Sequence, residues 1–276
     1  MLITVQRIED MRFGLNVINA WSPDFILQLA LAAEEAGWDG FFLWDHVTFE
    51  YDVSLHDPWI LLGAIAACTK KIRLGTLVTP LARRRPHIVA KETATLDHLS
   101  KGRVVLGVGL GGVEREFSAF GEESDSKRRA EKLDEAIEVI KKIWSGEVVE
   151  HDGKHYTLDR VALLPRPIQE PQIPIWVGGH SKPALRRASR YDGWADGGPA
   201  PSVGLPGMTS QELKASITYI KKNRKEKNPI DIGYTAELPE DSQQLQDTIR
   251  KLQQIGVTWV LESIHGVRYS HKKALE

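Results

Sequence analysis

The sequence has only one cysteine, Cys68, among its 276 residues, so it cannot form an intramolecular disulfide. Its 36 Lys and Arg residues balance 37 Asp and Glu residues, and the resulting net charge of -1 predicts no basic surface for a nucleic acid. No apolar run approaches the ~20 residues that a membrane-spanning helix needs, and the charged first ten residues lack the apolar core of a signal peptide. We therefore expect a cytoplasmic protein that binds neither nucleic acid nor membrane.

Cys68 ends the apolar run of residues 61–68. Free cysteines in such surroundings behave as small apolar side chains, and a nucleophilic thiol needs an electropositive, accessible site. The pattern predicts a buried structural thiol.

Strand-like and helix-like segments alternate along the chain, and the strands are almost continuously apolar. This pattern is typical of a parallel sheet covered by helices. Eight repeats, and a length near the roughly 250 residues of a closed α/β barrel, predict one (β/α)8 TIM-barrel domain over residues 1–276; an open, doubly wound sheet is the alternative. The strand-like segments are 12–18, 40–44, 72–78, 103–108, 175–177, 193–196, 230–235 and 257–261.

Residues 146–173, after the fourth predicted helix, interrupt this alternation. Two short strand-like stretches flank Asp152-Gly153, a hairpin-turn sequence, and a proline-rich extended stretch follows. Long irregular segments are commonly functional, and we expect this insertion to flank the mouth of the active site. His151 and His155 lie on either side of the turn, so we expect them to face solvent and predict no metal site.

Glycines are concentrated where three predicted strands end. The sequence of residues 107–112, GVGLGG, matches G-x-G-x-x-G, but the acidic residues at the required distance, Glu131 and Asp134, lie in a predicted helix. We therefore reject a dinucleotide-binding fold. A ligand-binding loop is favoured over a tight turn without a ligand, because glycine lets backbone N–H groups approach a ligand closely.

Residues 176–181, WVGGHS, and 196–199, DGGP, end the next two strands. Helix N-termini attract anions, so these strand ends predict a phosphate site. For Ser181, a role as helix N-cap without a ligand is the alternative.

His46 follows Trp44 and Asp45 at the end of the second predicted strand. It is a candidate general acid, a hydrogen-bond donor to a cofactor, or a structural polar group. The run Arg83-Arg84-Arg85 is either a solvated turn or an anion clamp, and solvation is the usual outcome.

Three separated motifs resemble one family, the bacterial-luciferase-like superfamily of flavin and deazaflavin oxidoreductases. They are LGTLVTP at 74–80, ATLDHLSKGRVVLGVG at 94–109, and PIWVGG at 174–179 followed by ALRRA at 184–188 and DGW at 192–194. The resemblance implies a (β/α)8 barrel that binds FMN or the deazaflavin coenzyme F-420 at its C-terminal mouth.

The resemblance also implies roles for individual residues. The flavin-type ring would lie against a bulge in the third predicted strand, with a cis peptide between Leu77 and Val78. The phosphate would lie near the ends of the fifth and sixth predicted strands, 175–177 and 193–196. His46 matches the family histidine that contacts the ring or assists proton transfer. The candidate site is therefore His46 as catalytic residue, with Trp44, Asp45, Thr76, Leu77, Val78, Gly107, Gly109, Gly178, Gly179, His180, Ser181, Gly197 and Gly198 for cofactor binding.

The leading functional hypothesis is a reduced-FMN-dependent monooxygenase of a small organic substrate, served by a flavin reductase and assembled as a homo-oligomer. The alternatives are F-420-dependent hydride transfer and a catalytically silent flavin-binding protein. A metal-dependent hydrolase is weakened because the sequence has no His-x-His. Gly112 stands where some deazaflavin-dependent sugar-phosphate dehydrogenases carry a glutamate, and residues 197–200 lack their lysine.

Overall fold

Eight parallel strands close into a barrel in the computed structural model, which describes residues 11–197, 202 and 207–275. The barrel strands are β1 (Arg12–Val17), β2 (Gly40–Leu43), β3 (Arg73–Pro80), β4 (Val104–Gly109), β7 (Ile175–Gly178), β8 (Gly193–Gly197), β9 (Asp231–Ala236) and β10 (Trp259–Ile264). Around the barrel the order is β1, β10, β9, β8, β7, β4, β3, β2, and this closure confirms the predicted (β/α)8 fold. The remaining two, β5 (Val149–Asp152) and β6 (Thr157–Val161), form a separate antiparallel hairpin.

The helices begin where the sequence places capping residues. Ser22 and Asp57 accept backbone hydrogen bonds at two N-termini that also carry proline in the first turn, and Thr209 and Glu212 form a capping box at a third. No helix within the described ranges is both long and apolar enough to cross a membrane. The helices are α1 (Pro23–Glu35), α2 (Pro58–Cys68), α3 (Pro86–Ser100), α4 (Arg115–Ser118), α5 (Ser126–Trp144), α6 (Lys182–Ala188), α7 (Ser210–Asn223), α8 (Ser242–Ile255) and α9 (His271–Leu275), with a 3-10 turn at Leu81–Arg83.

Strand β10 extends three residues beyond the predicted end at 261, because two polar residues continue it. Glu262 and Ser263 are buried in the strand. Glu262 accepts hydrogen bonds from the backbone of Leu238 and from the side chains of Arg268 and Tyr269. Leu238 and two residues of the segment after β10 thus satisfy a buried carboxyl group that, in the sequence pattern, marks the end of the strand.

Aromatic side chains fill the interior of the barrel. Phe42, Trp176 and Trp259 are fully buried, with ring centroids 5.2–6.0 Å apart. Leu77, Val105, Ala195 and Leu261 complete this inner cluster. Since side chains alternate between the two faces of a strand, these residues show which positions point inward.

Gly75 on β3 is required by the close packing of β4. A Cβ atom at this position would lie 1.8 Å from the carbonyl oxygen of Val105, which is backbone and cannot move aside. We expect Gly75→Ala to lower the free energy of unfolding by about 3 kcal/mol or more, measured by urea denaturation. Gly63→Ala is the control, because nothing lies within 4 Å of that site in α2 and alanine should stabilise the helix by about 0.5–1 kcal/mol. Equal stability of Gly75→Ala and the wild type would contradict this packing.

The first part of the insertion packs on α5 and not into solvent. Glu135 accepts hydrogen bonds from the backbone of His155 and Tyr156, at 3.0 and 2.8 Å, and lies 3.2 Å from Nε2 of His151. The side chains of His151 and His155 are only 7% and 13% exposed. The expectation that both histidines face solvent is therefore wrong, because the hairpin folds back on an acidic helix surface.

The second part of the insertion lies at the end of the barrel opposite the mouth. The Gln169 side chain donates to the carbonyl of Val104, the first residue of β4, and to Asp97 near the end of α3. This contact places part of the proline-rich stretch at the N-terminal end of β4, so the expectation that the whole insertion flanks the mouth is wrong for this part.

Cys68 is exposed at the end of α2, so the predicted buried thiol is wrong. Ala64 and Ala67 are exposed on the same helix. Because every residue of this run is apolar or glycine, the sequence gives no sign of which side of the helix faces solvent.

Candidate active site

The C-terminal ends of the barrel strands surround a mouth whose two halves differ. Gly107 and Gly109 follow the inward-facing Val105 by two and four residues on β4, and Gly178 follows Trp176 by two on β7. Gly197, the last residue of β8, follows Ala195 in the same way. This half of the mouth therefore presents backbone without side chains.

The bulge in β3 lies against these glycines. The β3–β4 register shifts between Thr76 and Thr79, and the Leu77–Val78 peptide is cis, as predicted. A Cβ atom on Gly109 would come within 2.3 Å of the Val78 side chain, and one on Gly178 within 2.9 Å. Thr76 and Leu77 are buried, whereas Val78 is partly exposed. The bulge and the glycines thus form a single apolar wall.

The packing of β3 against β4 requires a glycine at position 107. A Cβ atom there would lie 2.0 Å from the Thr76 carbonyl oxygen, so glycine at this position admits the backbone of β3. Contact of Gly107 with a cofactor stays a prediction.

The other half of the mouth carries aromatic and histidine rings. The Trp44 ring lies 5.7 Å from His46 and 6.3 Å from His265, and Phe49 lies 4.6 Å from His46. His265 is buried and pairs with Glu237 at 3.1 Å. The mouth therefore has one side of bare backbone and one side of titratable and aromatic rings.

Asp45 is held in a buried cluster of opposite charge. Arg84 donates two hydrogen bonds to its carboxylate, both at 2.9 Å, and Arg83 donates a third at 3.0 Å. Thr79 Oγ1 lies 2.9 Å from the same carboxylate. Burial alone would raise the pKa of Asp45, but the charges of Arg84 and Arg83 outweigh it and the pKa is lowered. Asp45 is thus an ionised structural anchor, and its contact with a cofactor stays a prediction.

The first two arginines of the basic run are not solvated. The side chains of Arg83 and Arg84 are 6% and 17% exposed. The expectation of a solvated turn is wrong for both, because Asp45, almost forty residues earlier, provides a buried carboxylate for them. Both guanidinium groups bind Asp45, so the run is not a set of free side chains at the mouth.

His46 pairs with a residue that the sequence did not single out. Nδ1 of His46 lies 3.1 Å from Oε1 of Glu116, which also accepts a 2.7 Å hydrogen bond from the backbone N–H of Val47. Glu116 lies on α4, a one-turn helix in the loop after β4 that the sequence pattern did not predict. The sequence separation of 70 residues left no local signal for this pair.

The environment of Glu116 favours the ionised carboxylate. Its side chain is fully buried, which by itself would raise its pKa. Hydrogen bonds from His46 and Val47, with the positive charge of Arg83, outweigh burial and lower the pKa. A buried anion is thus maintained beside the candidate catalytic histidine.

The predicted phosphate site is only partly described. The Ser181 side chain caps α6 by accepting from the backbone of Ala184 at 3.4 Å, which supports the N-cap interpretation. His180 is exposed and pairs with Asp196 at 2.9 Å, while the Gly179 carbonyl accepts from Trp194. Gly198 lies outside the described residues. A phosphate contact by these groups stays a prediction.

Asn16 is a further residue that the sequence analysis missed. It pairs in register with Phe42 of the inner cluster, so its side chain points into the barrel. Its Oδ1 is buried and has no hydrogen-bond partner in the part of the chain that the structure describes. Such an atom suits a polar ligand group at the mouth. An asparagine inside an apolar strand was the available signal.

Known proteins resemble this chain in sequence and in fold. The sequence profile described as luciferase-like monooxygenase matches residues 11–202. An F-420-dependent glucose-6-phosphate dehydrogenase of Microbacterium testaceum is 35% identical over 190 residues, 65% of this chain and 54% of the relative. The match thus spans about half the length of that curated relative.

Two solved structures share the fold over nearly their whole length. An F-420-dependent secondary alcohol dehydrogenase, solved with an F-420–acetone adduct, has a TM-score of 0.77 at 20% identity and covers 96% of this chain and 97% of its own. A monooxygenase from Streptomyces bottropensis has a TM-score of 0.76 at 22% identity and covers 96% and 95%. With its barrel and a profile match across more than half its length, the chain belongs to the luciferase-like monooxygenase family.

Proposed function

We propose that this protein transfers hydride between a small organic alcohol or carbonyl substrate and the deazaflavin coenzyme F-420. The observation that carries the proposal is the His46–Glu116 pair at the mouth, because oxidation of an alcohol requires a base for its hydroxyl proton. The names of the M. testaceum relative and of the alcohol dehydrogenase structure support this reading over the reduced-FMN monooxygenase favoured by the sequence pattern. FMN remains the competing cofactor.

A flat tricyclic ring is the group that we propose for the mouth. The bulge at Leu77–Val78 offers an apolar surface, and Gly109 and Gly178 leave the adjoining strand ends without side chains. A Cβ at either glycine would fill this space or displace Val78. We propose that Thr76, Leu77 and Val78 support one face of the ring and that Trp44 and His46 line the other side of the site.

When bound, the deazaflavin supplies two-electron hydride chemistry. The protein orients the substrate, excludes water and moves a proton at His46. Arg83, Arg84 and Asp45 form the rigid base from which His46 projects, because their buried hydrogen bonds fix the end of β2. The buried aromatic cluster beneath the mouth closes the barrel interior to water.

The proposed substrate is not a sugar phosphate. Gly112 replaces the glutamate of the sugar-phosphate dehydrogenases that the chain resembles, and residues 198–206, GPAPSVGLP, contain no charged side chain. The described arginines Arg83 and Arg84 are already bound to Asp45. A small uncharged alcohol or ketone suits this mouth better than a dianion.

Titration of the purified protein with F-420 and with FMN tests the cofactor assignment. We expect F-420 to bind at least about tenfold more tightly, a difference of about 1.4 kcal/mol. Gly178→Leu should weaken F-420 binding because its side chain would occupy the bare half of the mouth, whereas Cys68→Ala on the exposed end of α2 should not. Circular dichroism of both variants controls for folding. Tighter binding of FMN would overturn the proposal.

A further inference from the structure

Glu116 makes two contacts that together determine what it can do. Its Oε1 accepts from the backbone of Val47 at 2.7 Å and lies 3.1 Å from Nδ1 of His46. The residue is 1% exposed. One carboxylate oxygen therefore fixes both the backbone after His46 and the imidazole ring.

The ionised state of Glu116 determines the tautomer of His46. A carboxylate only accepts hydrogen bonds, so the contact at Nδ1 requires a proton on that nitrogen. The neutral ring then carries its lone pair on Nε2. Within residues 11–197, 202 and 207–275, Nε2 has no hydrogen-bond partner, and the side chain is 22% exposed at the mouth.

The hydrogen bond from Val47 does not by itself explain why residue 116 is a charged glutamate rather than a neutral glutamine. The second oxygen of Glu116, Oε2, is buried without a hydrogen-bond partner in the described part of the chain. An unpaired oxygen on a buried carboxylate is costly, and a glutamine would accept from Val47 equally well. The negative charge of Glu116 therefore serves to stabilise a positive charge on His46, the titratable group that it contacts.

We propose that Glu116 is a positioning residue that holds His46 in its Nδ1–H tautomer and stabilises the imidazolium formed during turnover. The inference rests on the proposed function. As the substrate carbonyl forms and the C–H bond breaks, a bound deazaflavin would accept the hydride with both electrons. The hydroxyl proton goes to Nε2 of His46. In the reverse direction the same Nε2–H returns the proton to the carbonyl oxygen.

Charged groups lie on one side of this pair and aromatic rings on the other. On the side of the 3-10 turn, Nη2 of Arg83 lies 4.0 Å from Oε1 of Glu116, and Asp45 binds the same guanidinium. On the side of the mouth, the rings of Trp44 and Phe49 face His46 and carry no charge. His265, paired with Glu237, lies beyond Trp44. Glu116 is thus the anion in direct contact with His46.

Glu116→Gln tests this role with little change in shape. We expect kcat for alcohol oxidation to fall about 10–100-fold with KM nearly unchanged. Glu116→Asp retains the negative charge and should recover part of the lost kcat. Glu114→Gln, on the same loop and exposed, is the matched control.

Nitrogen-15 NMR of His46 in the ligand-free protein separates this inference from the proposed function. The wild type should show the Nδ1–H tautomer, and folded Glu116→Ala, which lacks an acceptor for Nδ1–H, should lose it at least in part. An Nε2–H tautomer in the wild type, an unchanged tautomer in folded Glu116→Ala, or an unchanged kcat in Glu116→Gln would overturn the positioning role. The expected tautomer in a protein that oxidises no alcohol with F-420 would overturn the proposed function alone.

Discussion

Replacing His46 with alanine is expected to lower turnover about 10²–10⁴-fold, the usual contribution of a residue that transfers protons in the rate-determining step. The affinity for F-420 should change much less, because most of the proposed ring contacts come from the bulge and the bare strand ends. The measurements are steady-state kcat and a binding titration on the same preparation.

His98→Ala is the control for this substitution. His98 is exposed on α3 and contacts the Arg166 carbonyl, far from the mouth. Unchanged turnover in a stable His46→Ala protein would show that His46 is structural, and it would also remove the basis for the role of Glu116.

Asp45→Ala should lower the free energy of unfolding by about 3–5 kcal/mol. The substitution leaves Arg83 and Arg84 buried without their shared carboxylate. Chemical denaturation measures the loss. The control is Glu150→Ala, which breaks an ion pair with Arg160 whose side chains are 62% and 74% exposed, and should cost about 0–1 kcal/mol.

The same cluster predicts a dependence on pH. Because folding lowers the pKa of Asp45, its contribution is fully present above the ordinary aspartate pKa of about 3.9 and is lost as the pH falls through the lower folded-state value. The stability difference between the wild type and Asp45→Ala should therefore shrink in acid. A difference that is small at neutral pH, or constant down to strongly acidic pH, would contradict the buried ion-pair arrangement.

The barrel could be predicted from the sequence because its signals are local. Helix α2 begins at Pro58, directly after its cap Asp57, and ends at Cys68, so a proline and a capping side chain adjacent in sequence define its start. Local patterns were insufficient where tertiary contacts intervene. Strand β10 continues through Glu262 because the backbone of Leu238 and the side chain of Arg268, both outside the strand, satisfy that carboxyl group.

Only part of the candidate site could be predicted from the sequence. Strand-end position drew attention to His46 and to the glycine-rich ends, and the family resemblance indicated the cis bulge at Leu77–Val78. Glu116 and the partners of Asp45 were missed because their contacts join residues 34 to 70 positions apart. The arginine run was misread for the same reason: composition shows charge, but only tertiary structure shows which carboxylate neutralises it.

The most direct test of the central claim compares turnover with and without oxygen. Purified protein, F-420 and a panel of small alcohols are incubated under anaerobic and under aerobic conditions, and the reduction of F-420 is followed by its absorbance. We predict reduction of F-420 at the same rate in both, in proportion to the carbonyl product formed. Product formed only with reduced FMN and oxygen, and none with F-420, would contradict deazaflavin-dependent hydride transfer.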